Sequence, residues 1–307
     1  MDKEKLKNLK RKIIIITTTL SIYIMLLLFK NTYFSLFNIN IKTLPLIEQQ
    51  ISNISYQIFA LTLSIFFLIK HKKDTEENFK KYLKYLIIAI STILIYCMTS
   101  ILELGILYYA KINTEKLTIL QKSIYLILCE STIIIIIGLI NKNKLKKDFL
   151  EIKEKYEEYY TKYLKLYILA LIIMVISNVF INKLTQAIPG NEETIRATLN
   201  KAPLYMFFSA VIFAPFTEEM VFRQSIKNII TNKKTFIITS GLIFGGLHVI
   251  GNINTIYDLL YIIPYSTPGI AFAIMLEKTD NIFVPMGIHF LHNGLLMTLQ
   301  IIMMYIN

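Results

Sequence analysis

"LYILALIIMVISNVFIN", residues 166–182, lies between Lys165 and Lys183 and carries no charged side chain. A helix crossing a hydrocarbon core of about 30 Å needs about 20 mostly apolar residues. Barrel strands are shorter and alternate in polarity, and this stretch does neither. It reads as a transmembrane helix, whose backbone groups are all satisfied within the segment. Working outward, similar blocks recur along the 307 residues, separated by short lysine-rich breaks. A 54% hydrophobic content and a mean hydropathy of +0.53 are those of a polytopic membrane protein. Spans are expected at 13–29, 51–69, 85–107, 117–140, 166–184, 204–231, 235–250, 256–276 and 282–305. The expected fold is all-α, a transmembrane bundle of about eight to nine spans. Residues 1–165 form its N-terminal helices with basic loops, and 166–307 a C-terminal unit.

The formal charge of +12 is distributed as topology. Lys3, Lys5, Lys7, Lys10, Arg11 and Lys12 precede the first block, Lys70, Lys72, Lys73, Lys80, Lys81 and Lys84 follow the second, and a third cluster runs from Lys142 to Lys165. The breaks near 30–50, 108–116 and 183–203 are sparser. By the positive-inside rule this predicts a multi-pass protein of the cell membrane with a cytoplasmic N-terminus. The lysines imply contact with membrane lipids, anionic ones especially, and no nucleic-acid partner. Ile13 to Phe29 follows a basic segment but lacks a small-residue cleavage pattern, so a retained span is expected. Cys97 and Cys129 sit in apolar blocks and imply neither a disulfide framework nor a zinc knuckle. The segment 141–165 mixes charges with Leu, Ile and Tyr at helical spacing and predicts a cytoplasmic helix leading into the fifth span.

Polar residues concentrate after residue 200; before it, Glu103 and Glu130 are the notable intramembrane charges, read as lying near span ends. "APFTEEMVFRQ", 214–224, puts Glu218, Glu219 and Arg223 into an apolar span. Each costs roughly 2.5 to 3.5 kcal/mol at the middle of a helix on insertion scales, so compensation must exist. Glu219 and Arg223 are four apart and share a face, which predicts an ion pair and leaves Glu218 without a local partner. Three of the four histidines lie in apolar surroundings: His248 in "LIFGGLHVIG", His289 and His292 in "MGIHFLHNGLL". The fourth, His71, sits in a basic loop. His289 and Asn293 share a face, with His292 on an adjacent edge.

Depth follows from counting. Glu218 and His248 each lie about 15 residues from Lys233 in the "TNKK" break, roughly 22 Å along a helix, and His289 is about 15 Å from the "EKTDN" break. Pro215 predicts a kink beside the glutamates. Three helices then bring Glu218, His248, His289 and Asn293 to one polar pocket, with Phe244 on its wall. A carboxylate beside an imidazole can hold and deprotonate water. A second imidazole and a carboxamide can donate hydrogen bonds to an oxyanion. Together they describe amide hydrolysis without a covalent intermediate. The competing reading is zinc held by Glu218, His248, His289 and also His292, since His and carboxylate suit that metal. The absence of H-E-x-x-H, and a carboxamide in the set, favour a site requiring no cofactor.

"EEMVFR" fits E-E-x-x-x-R, "FGGLH" (244–248) fits F-x-x-x-H and "HFLHN" (289–293) fits H-x-x-x-N. In this order they resemble the three motifs of the CPBP family, the CAAX-protease and bacteriocin-processing intramembrane proteases. The similarity covers about residues 200 to 300. What the resemblance implies is a glutamate-dependent intramembrane endopeptidase acting on a membrane-associated or lipidated protein or peptide. Glu218 and His248 would activate water, His289 and Asn293 would form the oxyanion hole, and Glu219 and Arg223 would hold the site together. His292 lies outside the family pattern and is read as supporting the pocket, and Gln224 stands where many members have glycine. The alternative is a noncatalytic membrane scaffold or regulator of the same fold. A transporter, which also buries Glu and His, predicts two related halves with interrupted helices, and none are found.

Overall fold

The computed structural model describes residues 76–185, 190–230, 232–250 and 256–306. The spans expected at 13–29 and 51–69, the basic residues before Glu76, and His71 lie outside the described residues. Those described form nine longer helices, α1 Glu76–Cys97, α2 Thr99–Tyr109, α3 Ile119–Ile140, α4 Lys142–Thr185, α5 Gly190–Lys201, α6 Pro203–Ile229, α7 Lys233–Ile250, α8 Ile262–Thr279 and α9 Phe283–Ile306, with short 3-10 turns at Thr114–Lys116 and Ile256–Tyr261. No strand occurs among the described residues, and the fold is all-α. Five helical segments among them are long and apolar enough to cross a membrane: α3, α4, α6, Tyr257–Thr279 and the first 22 residues of α9. The chain divides into two compact units, and α2 from Ser100 belongs to one; Tyr82–Thr99 and Asn113 onward belong to the other, which holds every site residue.

Two expected spans come out differently. The span expected at 85–107 is divided at Met98. The one expected at 235–250 forms α7, of 18 residues, and is not among the five. Its Lys233, Lys234, three glycines and His248 dilute the apolar content. In α4 the segment expected as a helix leading into the fifth span does so, 44 residues in all, with a kink where Lys155 leaves helical geometry (φ −116°, ψ 17°). No Gly or Pro lies between Lys142 and Thr185 to stop it. At its start Asn141 donates from Nδ2 to Ile137 O (3.0 Å) and across to Thr92 Oγ1 of α1 (2.9 Å).

Around this long helix the C-terminal helices pack. Ile152, Tyr163, Tyr167 and Ala170 of α4 bury against Ala271, Phe272 and Met275 of α8 and Val284 and Ile288 of α9. α7 and α8 approach closely because Gly241 and Gly245 carry no side chain. A Cβ on Gly245 would stand 2.6 Å from Ser266 N, and one on Gly241 3.0 Å from Ile270 N. Small residues at four-residue spacing are how membrane helices gain contact area, since lipid supplies no hydrophobic drive for association.

At one end of these helices an ionic network sets their relative height. Lys227 of α6 bonds Asp280 Oδ1 (2.8 Å) and Leu276 O (3.0 Å). Lys144 of α4 pairs with Asp148 (2.9 Å), and Lys233 of α7 with Glu277 (3.1 Å). Asp148 Oδ2 accepts from Ile282 N (2.8 Å), capping an orphan donor just before α9. Asp280, which ends α8, is left-handed (φ 51°), a conformation that Asp tolerates better than most residues.

Candidate active site

α6 carries the first set of functional groups, and it is not a uniform α-helix. Two π segments, Ser209–Phe213 and Glu219–Ser225, flank Ala214–Glu218. Ala214 N–H reaches back five residues to Ser209 O. In that register Ala210 O would accept from residue 215, which is Pro215 and has no N–H. Asn293 of α9 supplies the missing donor, Nδ2 to Ala210 O at 2.8 Å. At Pro215, where a kink is expected, the helix widens into this turn: the extra residue gives the ring room, and the chain stays helical through Phe213 and Ala214. The second π segment is satisfied similarly, with Ser225 Oγ donating to Met220 O (2.9 Å) and Ser240 Oγ of α7 to Phe222 O (2.6 Å). Single π turns of this kind concentrate at functional sites.

Glu219 and Arg223 are fully buried and paired, Oε2 to Nε at 3.2 Å. The contact is an ion pair rather than an aligned hydrogen bond, because neither atom has an aligned partner. Arg223 is further held between aromatic faces, its Cζ 4.3 Å from the Phe244 centroid and 5.5 Å from that of Phe272. The other oxygen of Glu219 accepts from His289 Nδ1 at 2.9 Å. That bond turns His289 Nε2 toward Glu218, whose Oε2 lies 3.8 Å away, beyond direct hydrogen bonding. The His289 ring stacks on Phe272 at 5.0 Å. Glu218 retains 13% side-chain exposure, whereas Glu219 and Arg223 have none.

His248 stands on α7 beside this group. Its Nδ1 lies 2.8 Å from Phe244 O, and since a carbonyl only accepts, Nδ1 carries the proton and Nε2 is the acceptor in the neutral ring. Tyr265 of α8 stacks on the imidazole at 5.2 Å, and the Phe244 ring lies tilted against it at 4.5 Å. Phe244 thus contacts Arg223, His248 and His289 at once.

The structure therefore brings Glu218, Glu219, Arg223, Phe244, His248 and His289 into one contact network, but no hydrogen bond or ion pair joins Glu218 to His248 among the described residues. His292 faces away, its Nδ1 3.1 Å from Tyr167 Oη of α4. Among the described residues no three of His, Cys, Asp and Glu are gathered to hold a metal ion, so the alternative set Glu218, His248, His289 and His292 is not assembled. Sequence reasoning missed Tyr167, Ser240, Tyr265 and Phe272, which carry no local signal. Glu130 is a correction: it lies in the middle of α3, 2% exposed, accepting from Ser209 Oγ (2.7 Å) and Tyr205 Oη (3.2 Å), and not at a solvated span end.

Comparison with known proteins bears on this geometry. Residues 200–295 match the type II CAAX prenyl endopeptidase Rce1-like family. The chain is 28% identical over 228 residues to the membrane-embedded CAAX protease MroQ of Staphylococcus aureus, covering 69% of this chain and 88% of that protein. It is 27% identical over 114 residues to the putative membrane peptidase YdiL of Bacillus subtilis, 36% of this chain and 43% of that one. No solved structure matches.

Proposed function

From a chain related to the CPBP membrane proteases over residues 200–295, we propose an intramembrane endopeptidase that hydrolyses a peptide bond with a water activated at Glu218. The observation that carries this is His289, set between Glu218 and Glu219 one helical turn before Asn293. Glu218 is the carboxylate of the cluster with residual access, and its 3.8 Å contact with His289 is too long for a hydrogen bond, which suits it to take a proton from water. His248 offers Nε2 as a second acceptor for that water and as the carrier of its proton to the leaving amine.

Attack on the carbonyl places negative charge on its oxygen. Asn293 Nδ2 has two hydrogens, and Ala210 O takes one, which leaves one to donate. His289, held by the Nδ1 bond to Glu219, stands one turn before Asn293 and is the second group we assign to the oxyanion. Glu219 and Arg223 fix the orientation of His289 without meeting substrate. The reading needs no metal, so chelators should leave the rate unchanged, and a loss restored by zinc would replace it with metal chemistry.

The substrate we assign is a membrane-associated or lipidated peptide, because Glu218 and His289 lie on helices long and apolar enough to cross a membrane. Its test compares proteins released from membranes carrying the wild-type chain with those from membranes carrying Glu218→Gln. A fragment released by the first alone supports the reading, and identical releases sink it.

A further inference from the structure

We infer that Glu130, on α3 and outside the Rce1-like region, is a positioning residue that sets Asn293 for the reaction through the first π segment of α6. The inference rests on the reading of Asn293 as an oxyanion donor. A carboxyl among Leu, Ile and Cys side chains in the middle of a span costs roughly 2.5 to 3.5 kcal/mol on insertion scales, so a specific gain must offset it. Here one oxygen grips two successive turns, accepting from Tyr205 Oη (3.2 Å) and Ser209 Oγ (2.7 Å). Those residues lie four apart at the entrance to the π segment.

The next residue, Ala210, presents the carbonyl that Pro215 deprives of a backbone donor and that Asn293 Nδ2 takes up (2.8 Å). α9 also packs on the same segment, and a Cβ on Gly294 would stand 3.7 Å from Val211 Cγ1. The segment is thus held at adjacent residues by Glu130 of α3 and Asn293 of α9. Displacing Ser209 shifts Ala210 O, and the Asn293 amide follows its acceptor. Simple interhelical glue would cost stability alone; a positioning role also ties the effect of Glu130 to that of Asn293.

The experiment is a double-mutant cycle on the full chain, Glu130→Ala against Asn293→Ala. It is read twice, by thermal unfolding in detergent and by the release rate of the fragment that Glu218→Gln fails to produce. Glu130→Ala should lower the saturating rate about tenfold, the worth of one good hydrogen bond, with the half-saturating substrate concentration little changed. Glu130→Gln, which keeps an acceptor oxygen, should restore most of that rate. Asn293→Ala should do less damage on top of Glu130→Ala than alone, in both readouts. If Glu130→Ala does not fold, Ser209→Ala breaks the same bond. Wild-type rates in Glu130→Ala while Asn293→Ala is inactive would overturn the inference and leave the proposed function standing. If the wild type releases nothing, the function falls and the unfolding cycle decides alone: additive shifts overturn the coupling, and smaller than additive shifts support it.

Discussion

α6 carries two cations one turn apart, Arg223 and Lys227, and they live under different rules. Arg223 is fully buried, meets one carboxylate, Glu219, and lies against two aromatic rings. Lys227, at the helix end, reaches Asp280 at 2.8 Å and Glu277 at 3.9 Å, and Asp280 is shared with Lys144 and Lys147. Partners at the end network are interchangeable and Asp280 is 61% exposed, so each contact there is weak and adjustable. In the buried Glu219–Arg223 pair each ion has a single opposite charge, and removing one member leaves the other stranded. The first network can orient His289; the second can only keep the helices level.

The largest effect should come from breaking the buried pair. Glu219→Ala leaves Arg223 uncompensated and frees His289 Nδ1, and should cost about 3 to 5 kcal/mol in thermal or denaturant unfolding. A cost below about 1 kcal/mol, typical of an exposed pair, would erase the distinction between the two networks.

Asp148 stands between the extremes, a buried carboxylate of the end network that accepts from Ile282 N. Asp148→Ala should cost about 1 to 2 kcal/mol, the worth of a lost cap, measured the same way. Because the bond fixes where α9 starts, hydrogen exchange at Ile282 should also quicken.

Asp280 should show the smallest effect and the clearest pH signature. Burial alone would raise its carboxyl, but the Lys227 hydrogen bond and the charges of Lys144, Lys227 and Lys147 together hold it below the usual range. With the folded value depressed, the unfolded chain binds more protons in that window, so the contribution is present at neutral pH and is lost as pH falls through the folded value. The difference in melting temperature between wild type and Asp280→Asn should therefore shrink on acidification and in high salt. A difference that grows on acidification would reverse the assignment.

How far these networks were legible in sequence depends on the separation of their members. The Glu219–Arg223 pair uses an i,i+4 spacing that any helix imposes. The His289–Glu219 bond spans 70 residues, and Glu130 to Ser209 spans 79, so neither leaves a local trace. Helical class and the apolar blocks were readable because they depend on composition alone. Pro215 was readable as a perturbation but not as a π turn, since whether a helix bends or widens depends on what α9 offers to the freed carbonyl. That the 141–165 helix leads into the fifth span was readable, since no Gly or Pro stops the backbone, whereas the break at Lys155 left no sequence signal.

The central claim is that Glu218 does chemistry and the carboxylates around it do architecture. Its most direct test is to measure peptide release and melting temperature side by side for Glu218→Gln and Glu219→Gln. Glu218→Gln should abolish release at a near wild-type melting temperature, while Glu219→Gln should lower the melting temperature substantially. Peptide release retained in a folded Glu218→Gln chain would contradict it.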